Sequence, residues 1–147
     1  MKKFLYVYLV IIFSSYLSCS GDDSSNEENP VIDCNYPGDV TLNTQSEVDS
    51  FTSFGYCKII RQLKIGNMNN ESDIHSLTGL STLTELTGIM IIANNPELTT
   101  LQGLNNLMSA NQIEIRNNNS LLNLTGLGSI TSNPGYLLKF NLISNAS

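Results

Sequence analysis

An all-β solenoid built of coils of about 23 residues, closed at its N-terminal end by one short helix, is the fold class this sequence predicts. Three observations carry the expectation. An apolar-x-apolar-x-Asn segment recurs at Leu63 to Asn67, Met90 to Asn94 and Ile113 to Asn117. Each is followed by a polar stretch and then by apolar-x-x-Leu-x-Gly-Leu, at Ile74 to Leu80, Leu98 to Leu104 and Leu121 to Leu127. The spacing from Ile92 to Ile115 is the same as that from Gly103 to Gly126, so strand and turn recur together. A period of this size points to a surface that binds rather than a pocket that catalyses.

Taken from the N-terminus, Met1-Lys2-Lys3 is a short basic region, and Phe4 to Phe13 is almost wholly apolar. Small residues then lead to Leu17-Ser18-Cys19. This is the layout of an export signal over residues 1–18, with an apolar run short of the roughly 20 residues a membrane span needs. Leu17-Ser18-Cys19 resembles a bacterial lipobox, although Tyr16 stands where that pattern usually carries an apolar residue. The resemblance implies that Cys19 takes a diacylglycerol and becomes the mature N-terminus. Residues 19–33 hold Asp22, Asp23, Glu27 and Glu28 and few apolar side chains, so they read as a solvated acidic tether. The stretch is similar to the Ser/Gly/Asp-rich segment that follows the lipid-bearing Cys in surface lipoproteins of Bacteroidetes-type bacteria. That likeness implies the outer face of the outer membrane.

Composition agrees with an envelope protein. The whole chain has a formal net charge of −6, and losing Lys2 and Lys3 with the leader makes it two charges more acidic. No basic footprint for nucleic acid is expected, nor a basic patch for anionic lipid. The length beyond the tether suits one domain.

Residues 34–60 read as a cap. Cys34 and Cys57 are the two cysteines left after Cys19. In an exported chain their default is a disulfide. The loop it closes is of a size worth roughly 3 kcal/mol in the chain-entropy account. Val40-Thr41-Leu42 suggests a strand, and Thr44-Gln45-Ser46-Glu47 has the form of a capping box, with Thr as N-cap and Glu three residues on. Val48, Phe51 and Phe54 would give the following helix its apolar face, and Gly55 would end it.

Residues 61–147 hold the repeats. Strand alternation turns Leu63/Ile65, Met90/Ile92, Ile113/Ile115 and Tyr136/Leu138 inward. The same alternation turns Lys64, Ile91, Glu114 and Leu137 outward as one row, which is the candidate binding face. Leu77/Leu80, Leu101/Leu104 and Leu124/Leu127 would fill the other side of the core, with Gly79, Gly103 and Gly126 in turn conformations closed to other residues. Asn67, Asn94 and Asn117 would form a ladder at the corner after each strand, satisfying backbone groups freed by the bend. The first repeat carries about three extra residues around Met68 to Glu71.

The run from Cys34 through the short helix to Cys57-Lys58-Ile59-Ile60 and Leu63-Lys64-Ile65 resembles the start of a receptor L-domain, a leucine-rich, right-handed β-helical domain. Bacterial surface lipoproteins carry similar repeats, and Asn94-Asn95-Pro96-Glu97-Leu98 to Gly103-Leu104 is close to their form. The resemblance covers residues 34 to about 140 and implies a right-handed β-helix and a surface location. It transfers no ligand and no binding residue. It departs at Arg61-Gln62, where Gly-Asn is usual, and in the last strand, Tyr136 to Phe140, which lacks the Asn.

Catalysis is not expected. Asp73, His75 and Ser76 are the residue types of a hydrolytic triad, but triad members meet through the fold rather than along four residues. No phosphate loop, nucleophile elbow or zinc motif is present, and His75 is the only histidine, so no cofactor and no metal are expected. The function expected is a lipid-anchored recognition or adhesion module whose partners are the membrane, through its anchor, and a protein or glycan met by the sheet face. A structural envelope lipoprotein without a dedicated ligand, or a shortened copy of a longer repeat protein, is the alternative.

Overall fold

The structure is a computed structural model and describes residues 34–131 and 139–143. The leader, Cys19, the acidic tether and Leu137 lie outside the described residues. Seven strands form one sheet: β1 (Asn35–Tyr36), β2 (Val40–Leu42), β3 (Lys58–Ile59), β4 (Gln62–Ile65), β5 (Glu85–Ala93), β6 (Ser109–Arg116) and β7 (Lys139–Ile143). Every pairing is parallel. β1 pairs with β3 and β2 with β4; β3 and β4 then pair with the first and second halves of β5. β6 lies between β5 and β7.

The expectation of an all-β solenoid, with the right-handed β-helix implied by the resemblance, is corrected. The described residues have a mixed α/β character: one parallel sheet whose connections are short helices and turns. The reason lies in the Leu-x-x-Leu spacing. A strand repeats its facing every two residues, whereas a 3-10 turn eclipses residues i and i+3. Leucines three apart therefore share a side only if the chain curls. Thr78–Leu80 and Thr125–Leu127 are 3-10 helices, and the Leu104 N–H donates to the Leu101 carbonyl at 3.1 Å in the same manner. Parallel strands need a crossover in any case, and here helical turns supply it.

Between β2 and β3 the crossover is helix α1 (Gln45–Ser50), extended by a 3-10 turn at Phe51–Phe54. The capping box forms as read: Thr44 Oγ1 accepts from the Glu47 N–H at 3.3 Å, and Glu47 Oε2 accepts from the Thr44 N–H at 3.2 Å. Val48 and Phe51 are buried, Phe54 is exposed, and Gly55 ends the turn at φ 68°. The Cys34–Cys57 disulfide is present, with Cα atoms 5.2 Å apart, and ties the start of β1 to the start of β3.

Leu63, Ile65, Met90, Ile92, Ile113 and Ile115 are fully buried on one face of the sheet, opposite Leu77, Leu80, Leu101 and Leu104. This burial is the main stabilising term, since each such side chain contributes on the order of 1.5–3 kcal/mol. Leu127 is buried, but Leu124 is 36% exposed, contrary to expectation. The glycines of the turns are required for a reason other than the one expected at two of three sites. Gly103 has φ 108°, whereas at Gly126 an added Cβ would overlap the Leu101 carbonyl of the preceding turn.

The last strand also differs from its expected place. β7 sets Phe140 opposite Ile113, Asn141 opposite Glu114 and Leu142 opposite Ile115. Tyr136, Leu137 and Leu138, which the sequence alternation places at those inward and outward positions, lie outside the described residues. The spacing between strands is not constant: Asn94 and Asn67 are 27 residues apart, whereas Asn117 and Asn94 are 23 apart. The alternation Tyr136, Leu138, Phe140, Leu142 allows either placement, because an even slip leaves every side chain on its own face.

Candidate functional site

The sheet face begins with alternation. Lys64 pairs with Ile91 and Ile91 with Glu114, so the three predicted residues form one row across β4, β5 and β6. Each is half-buried, as expected for side chains standing on a sheet beside long neighbours. The row continues to Thr41 on one side and to the Asn141 position on the other, where Leu137 had been expected.

Residues two positions along a strand share its face. Gln62, Ile89 and Gln112 thus form a second outward row, and Arg116, opposite Ala93, stands two positions along β6 from Glu114. Arg116 Nη1 lies 3.3 Å from Glu114 Oε1, and its Nη2 is 3.6 Å from the Met68 sulfur. Lys58 and Glu85, cross-strand neighbours further along, pair at 2.8 Å. The outcome is a face carrying both charges, amides and aliphatic carbons. Arg116, Ile89 and Gln112 were not singled out in the sequence, although the same i+2 rule identifies them.

The asparagine corner holds the expected ladder and a second one. Asn117 Nδ2 donates to Asn94 Oδ1 at 2.9 Å, and Asn94 Nδ2 donates to the Asn67 carbonyl at 2.7 Å, so the expected ladder exists. A second ladder lies beneath it, formed by Ser72, Asn95 and Asn118. Ser72 Oγ donates to Asn95 Oδ1 at 2.6 Å, and Asn95 Nδ2 donates to Asn118 Oδ1 at 2.8 Å. Asn118 Nδ2 closes the chain on the Ile92 and Arg116 carbonyls, both at 3.0 Å. Asn95 and Asn118 are fully buried. Asn94 and Asn117 have φ of 59° and 54°, a left-handed bend that asparagine tolerates and that turns the next side chain inward. These amides satisfy strand-end backbone groups and are structural. Met68 to Glu71 loop out, anchored by Asn67 Oδ1 accepting from the N–H groups of Asn69 and Asn70, and this keeps Ser72 in line with the ladder.

Asp73, His75 and Ser76 do not form a relay. Asp73 Oδ1 accepts from the Gln45 N–H at 2.9 Å, capping α1 from the next repeat. His75 Nδ1 faces the Asp73 backbone carbonyl at 3.1 Å, and Ser76 Oγ pairs with Thr78 Oγ1 at 3.1 Å. The nearly buried Gln45 side chain completes this junction. Its Oε1 accepts from the His75 and Ser76 N–H groups at 3.0 Å, and its Nε2 donates to the Ser76 carbonyl at 3.1 Å. Among the described residues no cluster of His, Cys, Asp and Glu has the form of a metal site. No helix among them is long and apolar enough to cross a membrane.

No protein-family model, no curated protein and no solved structure matches this chain.

Proposed function

We propose that this chain is a recognition module of the cell envelope, anchored by lipid on Cys19 at the outer face of the outer membrane, that contacts a protein or glycan through its sheet face. The observation that supports the contact surface most is the alignment of Lys64, Ile91 and Glu114 as direct cross-strand neighbours. Ile89 adds a second aliphatic side chain on the same face, between Gln62 and Gln112, so apolar carbons there stand beside hydrogen-bonding groups. The anchor rests on the sequence alone: a basic start, an apolar run, Leu17-Ser18-Cys19 and the acids that follow.

The test has two arms. Labelling cells with a fatty-acid analogue marks the wild type and not Cys19→Ala; equal labelling of both sinks the anchor. Glycan arrays and surface cross-linking supply candidate ligands, against which Ile91→Asp and Glu114→Lys are measured. Both variants keep the fold and lose binding. Unchanged binding by both removes the sheet face from consideration.

A further inference from the structure

We propose that a cleft where the β1–β2 end of the sheet meets α1 binds an organic cation, a quaternary ammonium or guanidinium group. The cleft has a volume of about 610 Å³, opens to solvent, and is lined by Tyr36, Asp39, Glu47, Phe51, Phe54 and Tyr56, with two aliphatic side chains and small hydroxyl residues between them. That volume falls within the range of small-ligand sites.

Four aromatic rings meet here. The Tyr56 ring lies 5.0 Å from Tyr36, 6.3 Å from Phe51 and 6.0 Å from Phe54, nearly parallel to the last at 23°. Buried Phe51 and the neighbouring rings hold Tyr56 in place, while Phe54 is 60% exposed. Gly55, in the left-handed conformation, turns the chain between Phe54 and Tyr56 so that both rings serve one site. The ionised side chains lining the cleft are acidic, Asp39 and Glu47, and the chain as a whole is acidic.

An anion is repelled by this lining, and a neutral apolar ligand leaves the carboxylates unused. An organic cation with an apolar body satisfies both: its charge faces the ring quadrupoles and the carboxylates, and its carbons cover the rings. Glu47 Oε2 is held by the capping box, so its contribution is mainly its field. Asp39 is freer. Its Oδ1 lies 3.7 Å from Arg61 Nε with both side chains more than half exposed, a loose surface pair of little energetic weight. Asp39 is therefore the principal anionic partner, with Arg61 as its competitor. The cleft adjoins the Thr41 end of the outward row but uses none of Lys64, Ile91 and Glu114.

The experiment is an NMR titration of the full chain with choline, with the neutral tert-butyl analogue of choline and with N-acetylarginine amide. Choline or the arginine derivative shifts the Tyr36, Phe54 and Tyr56 ring signals saturably, and the neutral analogue binds several-fold more weakly. The ranking of the two cations separates a free quaternary amine from a partner's arginine side chain. Phe54→Ala, at an exposed position, weakens cation binding about two- to fivefold, the size of an exposed cation–π contact. Asp39→Asn weakens it, and Arg61→Ala tightens it. Equal binding of the neutral analogue, no saturable shift, or an unaffected Phe54→Ala overturns the proposal.

Discussion

Replacing Asn95 by Ala removes the centre of the buried ladder. Three bonds go with it: Nδ2 to Asn118 Oδ1 at 2.8 Å, Nδ2 to the Ile65 carbonyl at 3.3 Å, and the bond accepted from Ser72 Oγ at 2.6 Å. Asn118 Oδ1 keeps the Asn95 backbone N–H at 3.1 Å, so it is not orphaned. Ser72 Oγ still accepts from the Ile74 N–H at 3.3 Å but loses the partner for its own hydrogen. The Ile65 carbonyl loses its side-chain donor. Two weakened polar groups at about 1–3 kcal/mol each give an expected loss of roughly 2–6 kcal/mol. Asn95→Asp costs more, because a carboxylate oxygen then faces Asn118 Oδ1 and the Ile65 carbonyl, and an unpaired buried charge is expensive. The control is Asn117→Gly. It keeps the left-handed bend at φ 54° and removes one bond at an exposed site, so it costs about 1 kcal/mol or less. Urea denaturation of the full chain followed by circular dichroism reads all three. A loss under 0.5 kcal/mol for Asn95→Ala, or an Asn117→Gly loss as large, refutes the assignment of the inner ladder as the structural one.

Three other outcomes are expected. Ile92→Asp unfolds the protein or costs several kcal/mol in a melt, while Ile91→Asp on the outward row costs about 1 kcal/mol or less; equal costs would mean the strand faces are misassigned. Gly126→Ala forces a methyl into the Leu101 carbonyl and lowers the midpoint sharply, whereas Gly55→Ala, with open space around it, loses only about 1 kcal/mol of left-handed preference; a mild Gly126→Ala would show that the turns are not in close contact. Replacing Cys34 and Cys57 together by Ser lowers stability by about 2–5 kcal/mol, and an unchanged denaturation curve would show that the link constrains nothing.

What could be read in the sequence was what local chemistry decides. The capping box at Thr44 and Glu47 needs only residues three apart, and it formed as read. The inward and outward faces of β4, β5 and β6 follow from a period of two, and Lys64, Ile91 and Glu114 fell into one row. The class of the connections does not follow, because Leu-x-x-Leu suits the filling of a coil as well as a spacing that curls the chain. The end of the row was misplaced because Tyr136 to Leu142 alternates without a break, and nothing in it marks where pairing starts. Asn94-Asn95 and Asn117-Asn118 look alike in sequence, and only the left-handed bend decides which member is buried. The aromatic cleft is not legible in the sequence because Tyr36, Phe54 and Tyr56 come from separate elements that the disulfide and the 3-10 turn draw together.

The parallel sheet also dictates how the chain must find its structure. A sheet of this kind has no hairpin, so no strand can find its partner by a tight local turn. Asn67 and Asn94 are 27 residues apart, Asn94 and Asn117 23, and each such closure costs loop entropy before any pairing repays it. Spontaneous refolding is therefore slow, and it leaves strand edges open to other chains while it proceeds. Cys34 and Cys57 span one interval of the same length, 23 residues. Once oxidised, they hold β1 against β3 and leave a template on which β5 assembles. A chain that reaches an oxidising compartment thus starts its search with the first closure already made, and a reduced one must make it by chance.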